Sequence, residues 1–183
     1  MPSHSLPYPL IPAPTGKANA VRRYPGASAL LLACALFGVS LAAAATGADP
    51  ARTVLNPPQM PNTTQYGYSQ ATVVAPGTRL VFVSGQVGWV EGAQNDFRTQ
   101  VDRAFANLAA ALEAAESAPG DVVRITLLIA DHDPTRLAYL VEKRRAFFGA
   151  SPPASTLIPV PALYAPGVSF EIDAVAVAAA TWR

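Results

Sequence analysis

Cysteine is almost absent from this 183-residue chain. Its one cysteine, Cys34, lies early in the chain, so residues 46–183 offer no disulfide, no thiolate nucleophile and no cysteine ligand for zinc. Histidine is nearly as scarce, because His132 is the only one after residue 45. It lies between Asp131 and Asp133, but adjacent residues in a loop rarely converge on one ion, and a helix cap explains Asp133 more simply. The sequence therefore predicts no metal site.

Acidic residues are missing from the first 45 positions, which carry Lys17, Arg22 and Arg23 and therefore a formal charge of +3. Subtracting these from the totals of 13 basic and 12 acidic residues leaves 10 basic and 12 acidic residues, a charge of −2 for residues 46–183. Nucleic-acid binding requires a basic face, and a body of this charge provides no electrostatic basis for one. We predict that nucleic acid is not a partner and that ribonuclease activity is disfavoured.

No charge interrupts residues 27–45, which follow Arg22-Arg23 and end in four consecutive alanines. A basic start, an apolar core and small residues at the end are typical of a secretory signal peptide, cleaved here after Ala44 or Ala45. We expect residues 1–45 to be a leader with its apolar core at 27–45. The mature protein would then be periplasmic or secreted, without stable membrane association.

Three other interpretations of the leader remain open. It could be an uncleaved membrane span, a lipoprotein signal that uses Cys34, or a twin-arginine signal that uses Arg22-Arg23. The next segment, residues 46–61, is expected to be an extended linker, because it is rich in proline. Residues 62–183 are then the folded domain.

β-Strands are predicted from residue type and from the position of turn signals. Residues 65–74 and 79–87 are rich in β-forming residues and are separated by Ala75-Pro76-Gly77, which favours a hairpin. Residues 122–130 are a further strand, with one face formed by Ile125, Leu127 and Ile129. The last two predicted strands are residues 156–160, flanked by prolines and therefore near an edge, and residues 168–179.

Two helices are predicted from apolar residues at steps of three and four. The first begins near Phe97, is capped by Asn95 or Asp96, and ends at Pro119-Gly120. The second begins after Asp133-Pro134 and stops at Gly149. Its stripe contains Leu137, Leu140, Val141, Arg144, Phe147 and Phe148.

The predicted order is β-β-α-β-α-β-β, which indicates an α+β fold with a mixed sheet and both helices on one face. Several strands are nevertheless apolar on both faces, as in residues 80–83, 127–129 and 174–177. A sheet with one face in water should alternate instead. The second face needs a cover that this chain does not supply, and another subunit is the economical one.

Six short segments stand out in order along the folded domain. They are Tyr68-Ser69-Gln70-Ala71, residues 83–88, Gln100 with Asn107-Leu108, residues 121–124, residues 152–156 and residues 170–176. In order and spacing, over roughly residues 62–178, they resemble one family, the Rid (reactive intermediate deaminase, YjgF-like) family. The resemblance implies a chorismate-mutase-like Rid fold, a homotrimer with its sheets around a central barrel, and clefts between subunits that use no cofactor.

The resemblance also implies an activity, the hydrolysis of small imines or enamines. Members of the family bind the substrate carboxylate through an arginine, and in this sequence that position is Ala154. Alanine cannot bind a carboxylate, so we expect a small imine, enamine or related carbonyl metabolite rather than the usual amino-acid-derived substrates. A trimer that binds a small metabolite without catalysis is the alternative.

Seven residues are candidates for the site. Glu171 is the candidate catalytic residue, since it lies between Phe170 and Ile172 and points away from the helices; otherwise it is an interface carboxylate. The others are expected to bind substrate, although each has an ordinary explanation in strand packing or in the need for a small residue. They are Tyr68, Ser84, Gly85, Gln86, Ala154 and Ser155.

Overall fold

The structure, a computed structural model, describes residues 51–178. The predicted leader lies outside these residues. The described part contains eight strands and helices, together with short 3-10 turns at Thr64–Tyr66 and Pro119–Asp121. In chain order they are β1 Arg52–Leu55, β2 Ala71–Val74, β3 Leu80–Val87, α1 Phe97–Ala114, β4 Val122–Ala130, α2 Pro134–Phe148, β5 Ala154–Val160 and β6 Phe170–Val177.

The main sheet has four strands in the order β3-β6-β4-β5. It is mixed, because β6 pairs antiparallel with both β3 and β4, whereas β4 and β5 run parallel. The proline-flanked strand β5 is at an edge, as the sequence predicted. A separate two-stranded sheet joins β1 to β2. The α+β class with a mixed sheet and two helices is confirmed.

The predicted hairpin of residues 65–74 and 79–87 is wrong. β2 pairs with β1, and β3 pairs along its length with β6, where Phe82 lies opposite Val175. The reason is that β6 offers β3 a long apolar partner, whereas β2 has only four residues. The linker interpretation is also corrected in part. Residues 52–55 form a strand that pairs with β2, so they belong to the folded body.

Both helices begin where the sequence placed them. The Asp96 carboxylate accepts a hydrogen bond from the Thr99 amide at the start of α1, and Asp133 does the same for the Arg136 amide at the start of α2. α2 ends at Gly149, as predicted. α1 ends earlier than Pro119-Gly120, because Glu116 takes a positive φ of 56° and turns the chain there.

The hydrophobic core lies between the main sheet and the helices. Ile125, Leu127 and Ile129 of β4 are fully buried on this side, and so are Phe170 and Ile172 of β6. They pack against the apolar stripe of α1 and against residues of α2. The helix residues in this core are Val101, Ala104, Phe105, Leu108, Leu112, Leu140 and Phe148.

The opposite face of the main sheet, here called the open face, has no covering layer among residues 51–178. Phe82 is 76% exposed there, and Leu80 and Ile158 are exposed as well. Such an apolar face is unusual for an isolated soluble domain. Separately, none of the helices in residues 51–178 has the length and apolar character needed to span a membrane.

Candidate functional site

Glu171 lies on the open face with its carboxylate directly over Gly85. Its neighbours Phe170 and Ile172 are fully buried on the helix side, so alternation along β6 turns Glu171 the other way. Pairing between β3 and β6 shifts between Val83 and Gln86, which takes Gly85 out of the regular ladder. A Cβ built on Gly85 would lie 1.8 Å from Oε1 of Glu171. The close approach of backbone and carboxylate therefore requires glycine.

A cleft of about 350 Å³, here called the open-face cleft, adjoins this contact. Asp173 is held within it by the Thr126 amide, which donates to Oδ1 at 3.1 Å. Gln86 turns its amide back to the Ser84 carbonyl, at 3.0 Å. The cleft thus combines charged and hydroxyl groups with an apolar wall. Its lining residues are Phe82, Val83, Ser84, Gly85, Arg124, Thr126, Asp173, Ala174 and Val175.

The register of β4 and β5 separates Ala154 from Ser155. Arg124 lies beside Ala154, and Ile125 lies beside Ser155. Because neighbours in register point to the same face, Ala154 shares the open face with Arg124, while Ser155 points to the helix side with the buried Ile125. In agreement, Nη1 of Arg144, from α2, donates to the Ser155 hydroxyl at 3.4 Å.

Tyr68 belongs with Ser155 rather than with Glu171. The guanidinium of Arg144 is 5.7 Å from the centre of the Tyr68 ring, and Arg144 itself is only 4% exposed. Gly67 allows the segment that carries Tyr68 to approach α2 closely, since a Cβ on Gly67 would lie 2.7 Å from the Cβ of Arg144. Tyr68, Arg144 and Ser155 form a second group, here called the Arg144 cluster.

The seven predicted site residues therefore fall into two places within this chain. The structure brings together Ser84, Gly85 and Glu171, with Gln86 next to them and Ala154 on the same face. It places the other two candidates in the Arg144 cluster. They are Tyr68 and Ser155.

Sequence reasoning missed three charged residues at these places. Arg124 and Asp173 line the open-face cleft, and alternation from Ile125 and Ile172 could have placed both on that face. Arg144 was assigned to the apolar stripe of α2, and its burial agrees with that position. Among residues 51–178, no group of three or more His, Cys, Asp or Glu side chains could hold a metal ion.

Comparison with known proteins settles the family. A sequence model of the family described as Endoribonuclease L-PSP matches residues 58–178, which is more than half of the chain. The chain belongs to this family, the Rid or YjgF-like family. No curated protein matches the sequence of this Rid-family chain.

Two solved structures illustrate the relationship. A Rid-family protein of unknown function from Yersinia pestis is 33% identical, with a TM-score of 0.65, and the match covers 70% of this chain and 99% of that one. A member of the YjgF/YER057c/UK114 family from Mycobacterium tuberculosis is 30% identical, with a TM-score of 0.47, and the match covers 69% and 98% of the two chains. The likeness to the Yersinia pestis protein spans nearly the whole of that relative, and with the family model it confirms the family that the sequence motifs indicated.

Proposed function

We propose that this Rid-family protein hydrolyses a small imine, enamine or related carbonyl metabolite. The observation that carries the proposal is the position of Glu171, whose carboxylate lies against the Gly85 backbone beside the open-face cleft. Within residues 51–178, no ion pair includes this carboxylate. It is thus in a position to hold a water molecule. We further propose that the protein acts as an exported homotrimer and that this cleft lies where subunits meet.

The reaction needs one base and no cofactor. Glu171 takes a proton from water while the water oxygen bonds to the imine carbon and the electrons of the C=N bond move to nitrogen, and Glu171 then returns that proton to the nitrogen. A second proton then passes from the new hydroxyl to nitrogen. The C–N bond breaks, and ammonia leaves a carbonyl product.

Ala154 limits the substrates of this proposed reaction. The family resemblance implies an arginine at this position, and a methyl group cannot replace its two charge-assisted hydrogen bonds, which contribute roughly 1.5–3 kcal/mol each. Substrates that depend on that arginine are therefore not expected. The same observation favours the second candidate function, a trimer that binds a metabolite without turning it over.

Cleavage of RNA, which the family name Endoribonuclease L-PSP suggests, is not part of the proposal. Residues 46–183 have a net formal charge of −2, and His132 is the only histidine among them. Binding to a polyanion and acid–base cleavage by paired histidines both lack a basis here.

The decisive experiment measures ammonia release from a panel of freshly generated imines. We expect the wild-type protein to accelerate release from at least one of them and Glu171→Gln to lower the rate by roughly 100-fold or more, because general-base catalysis contributes about 10²–10⁴-fold. Glu142→Gln, an exposed carboxylate on α2, is the matched control and should keep full activity. Circular dichroism would establish that both variants are folded.

Two results would contradict the proposal, the first by excluding hydrolysis and the second by excluding Glu171 as its base. Ammonia release that is equal with and without the wild-type protein, together with measurable binding of the product carbonyl compound, supports the binding trimer. Release that survives Glu171→Gln unchanged shows that another group activates water.

A further inference from the structure

The side chain of Arg124, unlike those of Arg103 and Arg136, makes no hydrogen bond or ion pair with the described chain. It lines the open-face cleft, and none of the ion pairs among residues 51–178 includes it. Arg103 donates to the carbonyls of Gly88 and Gln94, and Arg136 donates to the Ala130 carbonyl beside two ion pairs. These side chains hold loops and helix ends in place. Arg124 makes no such contact with a loop or helix end among residues 51–178.

The surroundings of Arg124 leave room for a ligand. Its neighbours in register are Val175 on β6 and Ala154 on β5, so the β5 side contributes only a methyl group, and Arg124 itself is exposed. Phe82, opposite Val175, supplies an exposed apolar wall. An exposed arginine that lines a cleft beside an apolar side chain can present its planar fork to a carboxylate.

A second charge fixes the orientation of that ligand. Asp173 lines the same cleft and is anchored by the Thr126 amide at 3.1 Å. No ion pair within 4.0 Å joins Asp173 to Arg124, so space separates these opposite charges. A molecule with an anionic group at one end and an N–H donor at the other would bridge them.

We propose that Arg124 binds the carboxylate of the substrate and that Asp173 accepts a hydrogen bond from its nitrogen. This assignment rests on the proposed function and names the residues that select its substrate. The carboxylate would then be bound from β4, by Arg124, and not from position 154 on β5, which lies one strand or about 4.8 Å farther from β6. The substrate nitrogen would then lie beside β6, the strand that also carries Glu171, whose carboxylate lies against Gly85 of the cleft lining.

Binding of three stable probes to the purified protein tests the assignment without requiring turnover. Alanine carries both a carboxylate and an amino group. Propionate carries only the carboxylate, and alaninamide carries the amino group without a carboxylate. By ligand-observed NMR we expect the wild type to bind alanine more tightly than either of the others. Arg124→Gln should weaken alanine binding by roughly ten- to a hundredfold, to the level of alaninamide.

Two more variants separate the assignment from general charge effects. Asp173→Asn should remove the preference for alanine over propionate while leaving propionate binding equal or tighter. Arg145→Gln removes an equal charge from an exposed position on α2, and it should change nothing. Thermal unfolding would verify that each variant retains the fold.

The assignment is overturned if the wild type binds none of the probes, if it binds alanine and alaninamide equally, or if Arg124→Gln and Arg145→Gln behave alike. Failure here is distinct from failure of the hydrolysis proposal. If the probes bind without selectivity but ammonia release still depends on Glu171, only the role of Arg124 is rejected. Selective binding without ammonia release rejects only hydrolysis.

Discussion

Gly85 and Gly88 lie three residues apart, and each excludes a side chain for a different reason. A Cβ on Gly85 would meet the end of a side chain, Oε1 of Glu171, at 1.8 Å. A Cβ on Gly88 would meet the main chain of α1, at 2.0 Å from the carbonyl oxygen of Gln100. A carboxylate can rotate away at small cost, whereas a helix backbone cannot. Gly85 therefore leaves room for the Glu171 carboxylate, whereas Gly88 allows the chain to pack against the backbone of α1.

Substituting the two glycines should separate activity from stability. Gly85→Ala is expected to keep the unfolding temperature close to that of the wild type while displacing the Glu171 carboxylate, so that ammonia release falls as it does for Glu171→Gln. Gly88→Ala should instead cost about 1–3 kcal/mol of stability through overpacking. Thermal unfolding and the ammonia assay on both variants measure the two effects. Full activity of Gly85→Ala would show that the position of Glu171 does not matter.

The two helices are joined at the surface by one carboxylate. Asp102 of α1 accepts hydrogen bonds at 2.7 Å from both the Tyr139 hydroxyl and the Lys143 ammonium group of α2. Burial, followed by the hydrogen bond to Asp102, raises the pKa of Tyr139 to about 12 from its ordinary 10.0. The protonated phenol is thus the form that the folded state favours.

This raised pKa predicts how stability depends on pH. Below pH 10 the phenol is protonated in the folded and unfolded states, so its contribution is fully present. Between pH 10 and about 12 only the unfolded state ionises, and the contribution is lost. The difference in unfolding temperature between wild type and Tyr139→Phe should therefore be constant up to pH 10 and shrink above it. A difference that grows with pH would contradict this coupling of α1 to α2.

Local signals in the sequence predicted the helices well, because a cap and an apolar stripe act within a few residues of each other. Asp96, Asp133 and Gly149 stand where they were expected. The pairing of strands is not local, so the turn at residues 75–77 indicated a hairpin that does not form. β3 instead joins β6, which is distant in the sequence and offers it a longer partner.

The same distinction between local signals and long-range strand pairing explains which features of the candidate site could be predicted from the sequence. Alternation along β6 predicted that Glu171 points away from the helices, and it does. The shift in pairing that places Gly85 under its carboxylate depends on how two distant strands align, so no local pattern contained it. The separation of Ala154 from Ser155 likewise depends on the register with β4. Arg124 was not among the predicted site residues, although strand alternation alone would have placed it on the open face.

Within residues 51–178, the main sheet has one covered and one uncovered face. The two helices of the described chain lie on the core side, and the open face presents Leu80, Phe82 and Ile158 to solvent. Burying a phenylalanine side chain stabilises an assembly by about 1.5–3 kcal/mol, and a symmetric assembly repeats that gain in each subunit. The expected homotrimer would place this face against its copies.

Phe82→Glu tests that assembly. We expect the wild type to be trimeric by light scattering at micromolar concentration, and the variant to be monomeric but folded by circular dichroism, because a carboxylate on a buried apolar contact is strongly unfavourable. Tyr164→Glu is the matched control, since Tyr164 is 73% exposed in the segment between β5 and β6 and lies outside the sheet. It should remain trimeric. A monomeric wild type, or a trimer that survives Phe82→Glu, would show that the open face has another role.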